Sequence, residues 1–378
     1  MVGIAFSTAA LVIVLSVFNG LEDLLRTLNS SFDPELKIEP VRGKSFVVTN
    51  ALLQKIKKVN GVEIVTEVIE DFAYVRYRDA DIVATIKGVS DNFIDQHRID
   101  STIVQGELKL KQGGTNFAIL GRGVADVLSV AVEDNMYALQ IFYIKNGSPS
   151  SLDPSKLYAR RSIRPGAVFS VEKTVDESFI ILPLDFAQEL LDYGAKRTSL
   201  EIKVIPGEIL RVQRELKELL GTYFSVLTNE EQHRDLYRLL KIEKLVAFIS
   251  LSLLIIIGSI NIFFSLMMMV IDKRKDISVL SALGADRKLI RKIFITEGAL
   301  ISVIGSGTGM LLGIMICWAQ DHFGMVGMGM ANAIVPNYPV KLIWTDLVSV
   351  CAVIIVTTFL VSLHPASRAA QSYSIGEL

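Results

Sequence analysis

The chain has 378 residues, of which 51% are hydrophobic, and its formal net charge at pH 7 is −1. A mean hydropathy of +0.43 is high for a soluble protein, whereas the balanced charge by itself neither favours nor excludes a nucleic-acid partner. The apolar residues are concentrated in four uncharged stretches, residues 1–21, 245–271, 298–320 and 347–363. Because a hydrocarbon core of ~30 Å requires about 20 apolar residues in a helix, these stretches predict four transmembrane helices, the last extended to residues 343–363.

The first stretch, residues 1–21, has two possible interpretations. A signal peptide is also N-terminal, but this stretch is longer than the usual apolar region of a signal peptide and has no basic segment before it. We therefore predict a true membrane span. The missing basic residues also lead us to expect that the natural N-terminus begins further upstream.

Two stalk helices are predicted next to the first and second spans. Beyond the first span, leucines recur at helical spacing at Leu21, Leu24, Leu25 and Leu28. This predicts that the helix continues outward through residues 22–34. Before the second span, Thr228 and Glu231 match a capping box, and a helix over residues 228–244 could run unbroken to Ile271, roughly 60 Å in all. The alternative is that both are ordinary domain helices that meet the membrane.

Residues 35–227, between the stalks, are predicted to form an α+β domain. Strand and helix patterns alternate in two β-α-β-like parts, residues 35–89 and 177–227, which could share one sheet. Residues 90–176 have a stronger β pattern, with a Pro/Ser-containing loop at residues 147–154, and are predicted to be an inserted subdomain. The predicted elements are strands at 35–39, 62–70, 73–77, 82–87, 199–205 and 223–227, and helices at 50–58 and 208–220.

No catalytic, cofactor-binding or metal-binding cluster is predicted, so we expect the chain not to be an enzyme. Residues 43–45, Gly-Lys-Ser, match the end of a phosphate-binding loop, but Ile38 stands where that motif needs its first glycine. A Gly-x-Ser-x-Gly nucleophile motif is absent, and Cys317 and Cys351 both fall within predicted spans. The histidines show no metal-ligand spacing; they are His97, His233, His322 and His364.

The uncharged cores of the predicted spans carry Asn261 and hydroxyl residues but no acidic or basic side chain, which disfavours ion-coupled transport. In the third span, Gly305, Gly309 and Gly313 recur every fourth residue and make a flat face on which another helix can approach closely. That helix belongs either to the chain's own bundle or to a second subunit.

The connection between the second and third spans, residues 272–297, is strongly basic. Its Lys and Arg residues are Lys273, Arg274, Lys275, Arg287, Lys288, Arg291 and Lys292, whereas residues 321–342 hold only Lys341. By the positive-inside rule, the basic loop and both termini, including the tail at residues 364–378, lie in the cytoplasm, and residues 22–244 lie outside. This topology argues against a nucleic-acid partner.

Within the basic loop, apolar residues recur every third position at Ile277, Leu280 and Leu283. They predict a short one-sided helix at residues 274–283, with Gly284 in the left-handed conformation that ends a helix and Asp286 capping the next. That next helix separates its basic residues from an apolar stripe, as suits a lipid interface; the stripe is Leu289, Ile290, Ile293 and Phe294. We interpret the first helix as a docking element for a cytoplasmic partner. An interfacial amphipathic hairpin without a partner is the alternative.

The segment RKDISVLSALGA, at residues 274–285, resembles the signature of the FtsX/MacB-type ABC transporter permeases. Five further segments add similarity to their lipoprotein-releasing LolC/LolE branch; they are ALVIVLSVFNGLEDLLR, IKGVSDNF, AILGRGVADVL, LYRLLKIEKLVAFISLSLLIIIGSINIFFSLMMMVIDKRKDISVL and HPASRAA. The chain departs from this family in two places. Residues 1–21 are not preceded by the family's short cytoplasmic segment, and residues 127–135 lack the usual glycines. No carrier-binding residues can be assigned.

The resemblance implies an α-helical membrane protein with four transmembrane helices and a large extracytoplasmic α+β domain on helical stalks. Residues 35–89 and 177–227 would form its porter part, and residues 90–176 its sabre part. It also implies a multi-pass subunit of the bacterial inner membrane with a periplasmic domain. The expected partners are two copies of a cytoplasmic ABC ATPase, which would bind ATP and Mg²⁺, a second identical or homologous permease, a lipoprotein cargo, its periplasmic carrier and membrane lipids.

In this family, residues 272–297 would be the coupling loop. The ATPase would dock on Arg274, Lys275, Asp276, Ile277, Leu280, Leu283 and Gly284. The stalks would then carry its motion outward, a mechanism called mechanotransmission. The alternatives are a MacB-like exporter of a drug, peptide or toxin, and an FtsX-like signalling protein that activates a cell-wall hydrolase without moving a substrate.

Overall fold

The computed structural model describes residues 2–132, 136–144, 158–328 and 337–371. The chain divides into two compact units. The membrane unit comprises Met1–Leu25 and Asp235–Leu378, and the outer unit comprises Arg26–Arg234. The predicted loop at residues 147–154, and residues 372–378 of the predicted tail, lie outside the described residues.

The helices and strands are numbered in chain order. The helices are α1 (Val2–Phe32), α2 (Asn50–Lys57), α3 (Arg122–Leu128), α4 (Lys173–Asp176), α5 (Leu184–Leu191), α6 (Ile209–Leu220), α7 (Asn229–Gln232), α8 (Arg234–Asp272), α9 (Arg274–Ala282), α10 (Arg287–Phe323) and α11 (Trp344–Gln371). The strands are β1 (Leu36–Pro40), β2 (Phe46–Val47), β3 (Val62–Tyr77), β4 (Ala80–Val89), β5 (Ile103–Gly106), β6 (Lys111–Gln112), β7 (Thr115–Gly121), β8 (Leu139–Ile144), β9 (Tyr158–Phe169), β10 (Phe179–Pro183), β11 (Lys196–Arg197), β12 (Ser199–Val204) and β13 (Phe224–Thr228).

Helices α1, α8, α10 and α11 are long and apolar enough to cross a membrane, which agrees with the four predicted spans. Each of them is longer than its span. Helix α1 continues to Phe32, as the leucine pattern predicts. Helix α10 joins the predicted interfacial helix to the third span without a break, and α11 includes residues 364–371 of the predicted tail.

The glycine face of α10 packs against α1. Gly305, Gly309 and Gly313 are all buried. A Cβ atom added at Gly313 would lie 2.9 Å from Val12 Cβ, and one added at Gly309 would overlap the backbone of Ala5. Because only glycine permits so close an approach, this face is occupied by the chain's own first helix. The structure therefore favours the first of the two alternatives, packing within one bundle.

A polar cluster, which we call the outer clasp, joins three helices near the ends of their spans. Lys244 of α8 donates to Asn19 Oδ1 of α1 at 2.7 Å and pairs with Asp346 Oδ2 of α11 at 2.8 Å. Asn19 also donates to Asp346 at 2.7 Å. The Lys341 N–H donates to the carbonyl of Ser16 at 2.9 Å, so the segment before α11 is fixed across α1. The three side chains satisfy one another, which lets them sit partly buried.

The outer unit is built on a split β-α-β pattern. Strands β13, β1, β12 and β3 are neighbours in that order, and all of these neighbours are antiparallel. Helix α2 connects β1 to β3, and α6 connects β12 to β13, so the two predicted β-α-β parts share one sheet, as expected. The prediction of separate strands at 62–70 and 73–77 is wrong. Glu70, Asp71 and Phe72 continue the antiparallel pairing with β4, so β3 is uninterrupted.

The inserted region is rich in strands, as predicted, but these strands extend the same sheet. Strand β10 pairs with β4 and β7, β7 pairs with β9, β9 with β8, and β8 with the second half of β3. The six strands therefore form a closed circuit of hydrogen-bonded neighbours. A core that includes Ile69, Val75, Leu120, Ile141 and Ile180 is buried against them.

The second stalk begins as predicted but contains a break. Thr228 and Glu231 form the expected capping box at the start of α7. The prediction of an unbroken helix to Ile271 is wrong, because His233 (φ −109°, ψ 33°) separates α7 from α8. The break accompanies two contacts with the chain just after α1. The His233 ring lies 2.6 Å from Asp33 Oδ2, and Gln232 donates to the Pro34 carbonyl at 3.1 Å.

A buried ion cluster fixes the end of α1 within the outer unit. Lys87 of β4 and Glu201 of β12 are 2% and 1% exposed and pair at 2.7 Å. Arg98 pairs with Glu201 and donates to the Phe32 carbonyl at 3.1 Å. Burial alone raises the pKa of Glu201, but the adjacent Arg98 and Lys87 lower this pKa to about 2. The same pairing overcomes the effect of burial on Lys87 and raises its pKa, so both groups stay charged.

Replacing Glu201 by Gln removes the carboxylate that pairs with both Lys87 and Arg98. We expect Glu201→Gln to destabilise the outer unit by about 3 kcal/mol, because the buried Lys87 then keeps the more distant Glu70, at 3.4 Å, as its carboxylate partner. Thermal unfolding of the purified full chain should show a midpoint roughly 10 °C lower. Glu63→Gln, which changes an exposed carboxylate facing Lys203 at 4.0 Å, is the matched control. An equal shift in both variants would contradict this account.

The His233–Asp33 contact should make stability depend on pH. The hydrogen bond to Asp33 raises the pKa of His233 above its usual 6.5 despite partial burial. A group with a raised folded pKa stabilises the fold fully below the unfolded pKa and loses this effect as pH rises through the folded value. We expect His233→Gln to lower the unfolding midpoint at pH 6 and to have a smaller effect at pH 8.5. A difference that grows with pH would contradict the assignment.

Candidate functional site

The candidate site is the loop between α8 and α10, where α9 is held between two sharp changes of direction. Helix α8 ends at Asp272, and the non-helical Lys273 separates it from α9. Gly284 has φ +97°, which a residue with a Cβ rarely adopts. Asp286 caps α10 by accepting a hydrogen bond from the Leu289 N–H at 2.7 Å. The left-handed Gly284 and the Asp286 cap are both as predicted.

The two faces of α9 have different surroundings. Ile277 (4% exposed) and Ser281 are buried within the membrane unit. Leu280 and Leu283 are 42% and 80% exposed, and Val279 is 50% exposed beside them. These three aliphatic side chains form an apolar face that no described residue covers.

The remaining predicted docking residues surround this face. Arg274, Lys275, Asp276 and Gly284 are exposed, and Lys273 pairs with Asp276 at 3.0 Å. The structure thus brings six of the seven predicted residues to the surface and places Ile277 inside. Sequence reasoning missed Val279, although its spacing of four residues from Leu283 puts both on one side of a helix.

Ile277 belongs to an apolar cluster that we call the inner hub. Its buried members come from four helices and are Val270 of α8, Ile277 of α9, Ile290 and Phe294 of α10, and Ala366 and Ala369 of α11. A helix of nine residues is too short to be stable alone. Burial of Ile277 in the hub therefore holds α9 against the ends of three long helices.

The electrostatics of the loop suit binding rather than catalysis. Residues 272–297 carry seven basic and four acidic side chains. The acidic residues are Asp272, Asp276, Asp286 and Glu297. On α10 the basic side chains are exposed beside the buried Ile290 and Phe294. Across the described ranges of the chain, no group of three His, Cys, Asp or Glu residues could hold a metal ion. The site offers an exposed apolar patch rimmed by charge, which is the composition of a protein-docking surface.

Two known families and several known proteins are similar in sequence to this chain. Residues 248–373 match the FtsX-like permease C-terminal family, and residues 1–144 match the MacB-like periplasmic core domain. The lipoprotein-releasing system transmembrane protein LolE of Haemophilus influenzae is 26% identical, over 98% of this chain and 91% of LolE. LolC of Buchnera aphidicola is 24% identical, over 98% of this chain and 90% of LolC.

Among solved structures, the periplasmic region of MacB from Actinobacillus actinomycetemcomitans aligns with 55% of this chain and 94% of its own, at 12% identity and a TM-score of 0.37. The assignment of these regions to known families rests on the two family matches, which lie at the two ends of the chain and include its first and last helices. The inferred docking loop lies inside the FtsX-like match. The chain therefore combines a MacB-like periplasmic core domain with an FtsX-like permease C-terminal region, as its sequence resemblance indicates.

Proposed function

We propose that this permease releases lipoproteins from the outer leaflet of the bacterial inner membrane to a periplasmic carrier. As an ABC permease it is a membrane subunit, and a separate subunit hydrolyses ATP. The lipoprotein cargo is supported by similarity to relatives named as lipoprotein-releasing LolE and LolC over 98% of this chain. The observation that carries the coupling is the uncovered apolar face of α9, with Val279, Leu280 and Leu283.

We infer that a cytoplasmic ATPase, present in two copies with a second permease, binds this face. ATP and Mg²⁺ would be held by the ATPase. Three exposed aliphatic side chains on one short helix are suited to fill a groove on a partner, and the surrounding Lys275 and Asp276 would fix its orientation. In this topology the basic loop and both termini are cytoplasmic.

The inner hub gives docking a mechanical consequence. Ile277 cannot move without displacing the side chains that pack on it, because closely packed interiors transmit strain. A shift of α9 would therefore move the inner ends of α8, α10 and α11 together. At the other end of these helices, the outer clasp ties α8 and α11 to α1. Since α1 continues past Leu25 into the outer unit as one helix, the motion would reach that unit by mechanotransmission.

A MacB-like exporter of a drug, peptide or toxin is the second candidate. The match of residues 1–144 to the MacB-like periplasmic core domain favours it. Both candidate functions share the docking site and differ in cargo. The docking site and the cargo are therefore tested by separate experiments.

The docking face is tested by introducing charge on it. We expect Leu283→Glu to reduce co-purification of the partner ATPase by at least about tenfold, because a buried apolar anchor of an interface is worth roughly 2 kcal/mol or more. Leu283 is 80% exposed, so the fold of the chain should be unaffected. Leu210→Glu, the same change at a leucine of α6 in the outer unit that is 69% exposed, should leave co-purification unchanged. Wild-type co-purification of Leu283→Glu would exclude this docking face.

The cargo is tested with the assembled transporter in lipid nanodiscs. We expect a triacylated lipoprotein to stimulate ATP hydrolysis and to leave the nanodisc when carrier is added. The same protein without its acyl chains, and a panel of amphipathic drugs, should do neither. Stimulation by drugs alone, with the lipoprotein inert, would favour the MacB-like exporter over the proposed function.

A further inference from the structure

The end of α11 enters the inner hub beyond the predicted fourth span. Ala366 and Ala369 are three residues apart, so their methyl groups lie on the same side of the helix. Both are fully buried, at 0% exposure. Arg368, between them in sequence, is exposed on another side. This segment is therefore a packed element of the membrane unit and not a free tail.

The two alanines share the hub with the docking helix. Ile277 of α9 is buried in the same cluster, together with Ile290 and Phe294 of α10. A methyl group is the smallest side chain that can close an apolar cluster, so α11 can approach its neighbours closely here. Closely packed interiors have few voids, so a carbon atom added to a side chain of the cluster must displace neighbouring side chains or backbone.

Helix α9 is the member of the hub that is easiest to displace. Its buried residues are Ile277 and Ser281, and the Ser281 hydroxyl has no hydrogen-bond partner among the described residues. Helices α8, α10 and α11 are instead held along their lengths by their packing in the bundle. A change in the volume of the hub should therefore move α9 first.

We propose that the last two turns of α11 are a positioning element for the docking helix. Ala366 and Ala369 form the wall that sets where α9 stands, and Ile277 is the side chain through which they act. The consequence for transport rests on the proposed function, whereas the placement of α9 rests on the geometry of the hub. The two can be tested separately.

The placement is tested on the full chain alone, in nanodiscs, by amide hydrogen exchange. We expect Ala369→Leu to speed exchange in α9 by at least about tenfold, since overpacking destabilises the packed position of the helix that yields. Exchange in the outer unit and in the centre of α10 should not change. Ala369→Ser, which keeps the small size, should resemble the wild type. Unchanged exchange in α9 for Ala369→Leu would overturn the proposal.

The functional consequence is tested in the assembled transporter as lipoprotein released per ATP hydrolysed. We expect Ala369→Leu to lower this ratio several-fold while ATPase stoichiometry and unfolding temperature stay near wild-type values. Arg368→Gln, on the exposed side of the same turn, should keep the ratio. A normal ratio with disturbed α9 exchange would remove the role in coupling. If Ala369→Leu fails to accumulate, Ala369→Val takes its place, and an unchanged ratio and exchange in that variant overturn the proposal.

A wild-type complex that neither binds an ATPase nor releases lipoprotein would refute the proposed function. The hydrogen-exchange experiment on α9 would still test the positioning role, because it is performed on the chain alone and requires no partner. Failure of the proposed function and failure of the positioning role are thus distinguishable.

Discussion

Burial of Ile277 is the contact on which the arrangement of α9 and the helix ends around it depends. Helix α9 has nine residues, far fewer than an isolated helix needs for stability in water. Its ends are set by Lys273 and Gly284, but these residues fix only where the helix starts and stops. The apolar contact that positions α9 against the membrane helices is made by Ile277, which is enclosed by side chains from α8, α10 and α11. The same contact leaves the opposite face, with Leu283, turned away from the hub and open to a partner.

The rest of the membrane unit is packed so that its helices resist being moved separately. Lipid tails are as apolar as the side chains of these helices, so the hydrophobic effect does not drive the helices together. They associate through close van der Waals packing instead. The glycine face of α10 provides this packing by admitting α1 at the distance that Gly309 and Gly313 allow. At the other end, the outer clasp adds charged hydrogen bonds among Asn19, Lys244 and Asp346. A bundle joined by an apolar cluster at one end and a polar one at the other should move its helices together.

The sequence predicts those structural features that depend on composition and on short residue spacings. The four spans, the capping box at Thr228, the left-handed Gly284 and the alternation of strands and helices follow from local chemistry, and all are found. Features that depend on distant partners are missed. The break at His233 accompanies its contact with Asp33, 200 residues away in the chain. The joining of the inserted strands to the main sheet is likewise a pairing between distant segments.

Helix α9 shows the same limit at the scale of one side chain. A spacing of three residues correctly places Ile277, Leu280 and Leu283 on an apolar stripe. The stripe winds around the helix, however, and only the structure shows that its first member meets the hub and its last remains exposed. Nothing in the local sequence links Ala366 and Ala369 to α9, because 83 residues separate the end of α9 from Ala366. Periodicity identifies an apolar face, but the identity of what covers it is a tertiary property.

The buried ions at the end of α1 add a requirement of the same mechanical kind. Lys87 lies 4.5 Å from the centre of the Phe32 ring, and Arg98 donates to the carbonyl of that residue. Both cations are bound to Glu201 of β12, so the last turn of α1 is joined to two strands of the central sheet. Apolar residues of equal volume could stabilise the fold as well, but they would permit sliding and rotation. Hydrogen bonds fix direction as well as distance, and under the proposed function α1 would need a fixed orientation where it meets the sheet in order to carry a displacement.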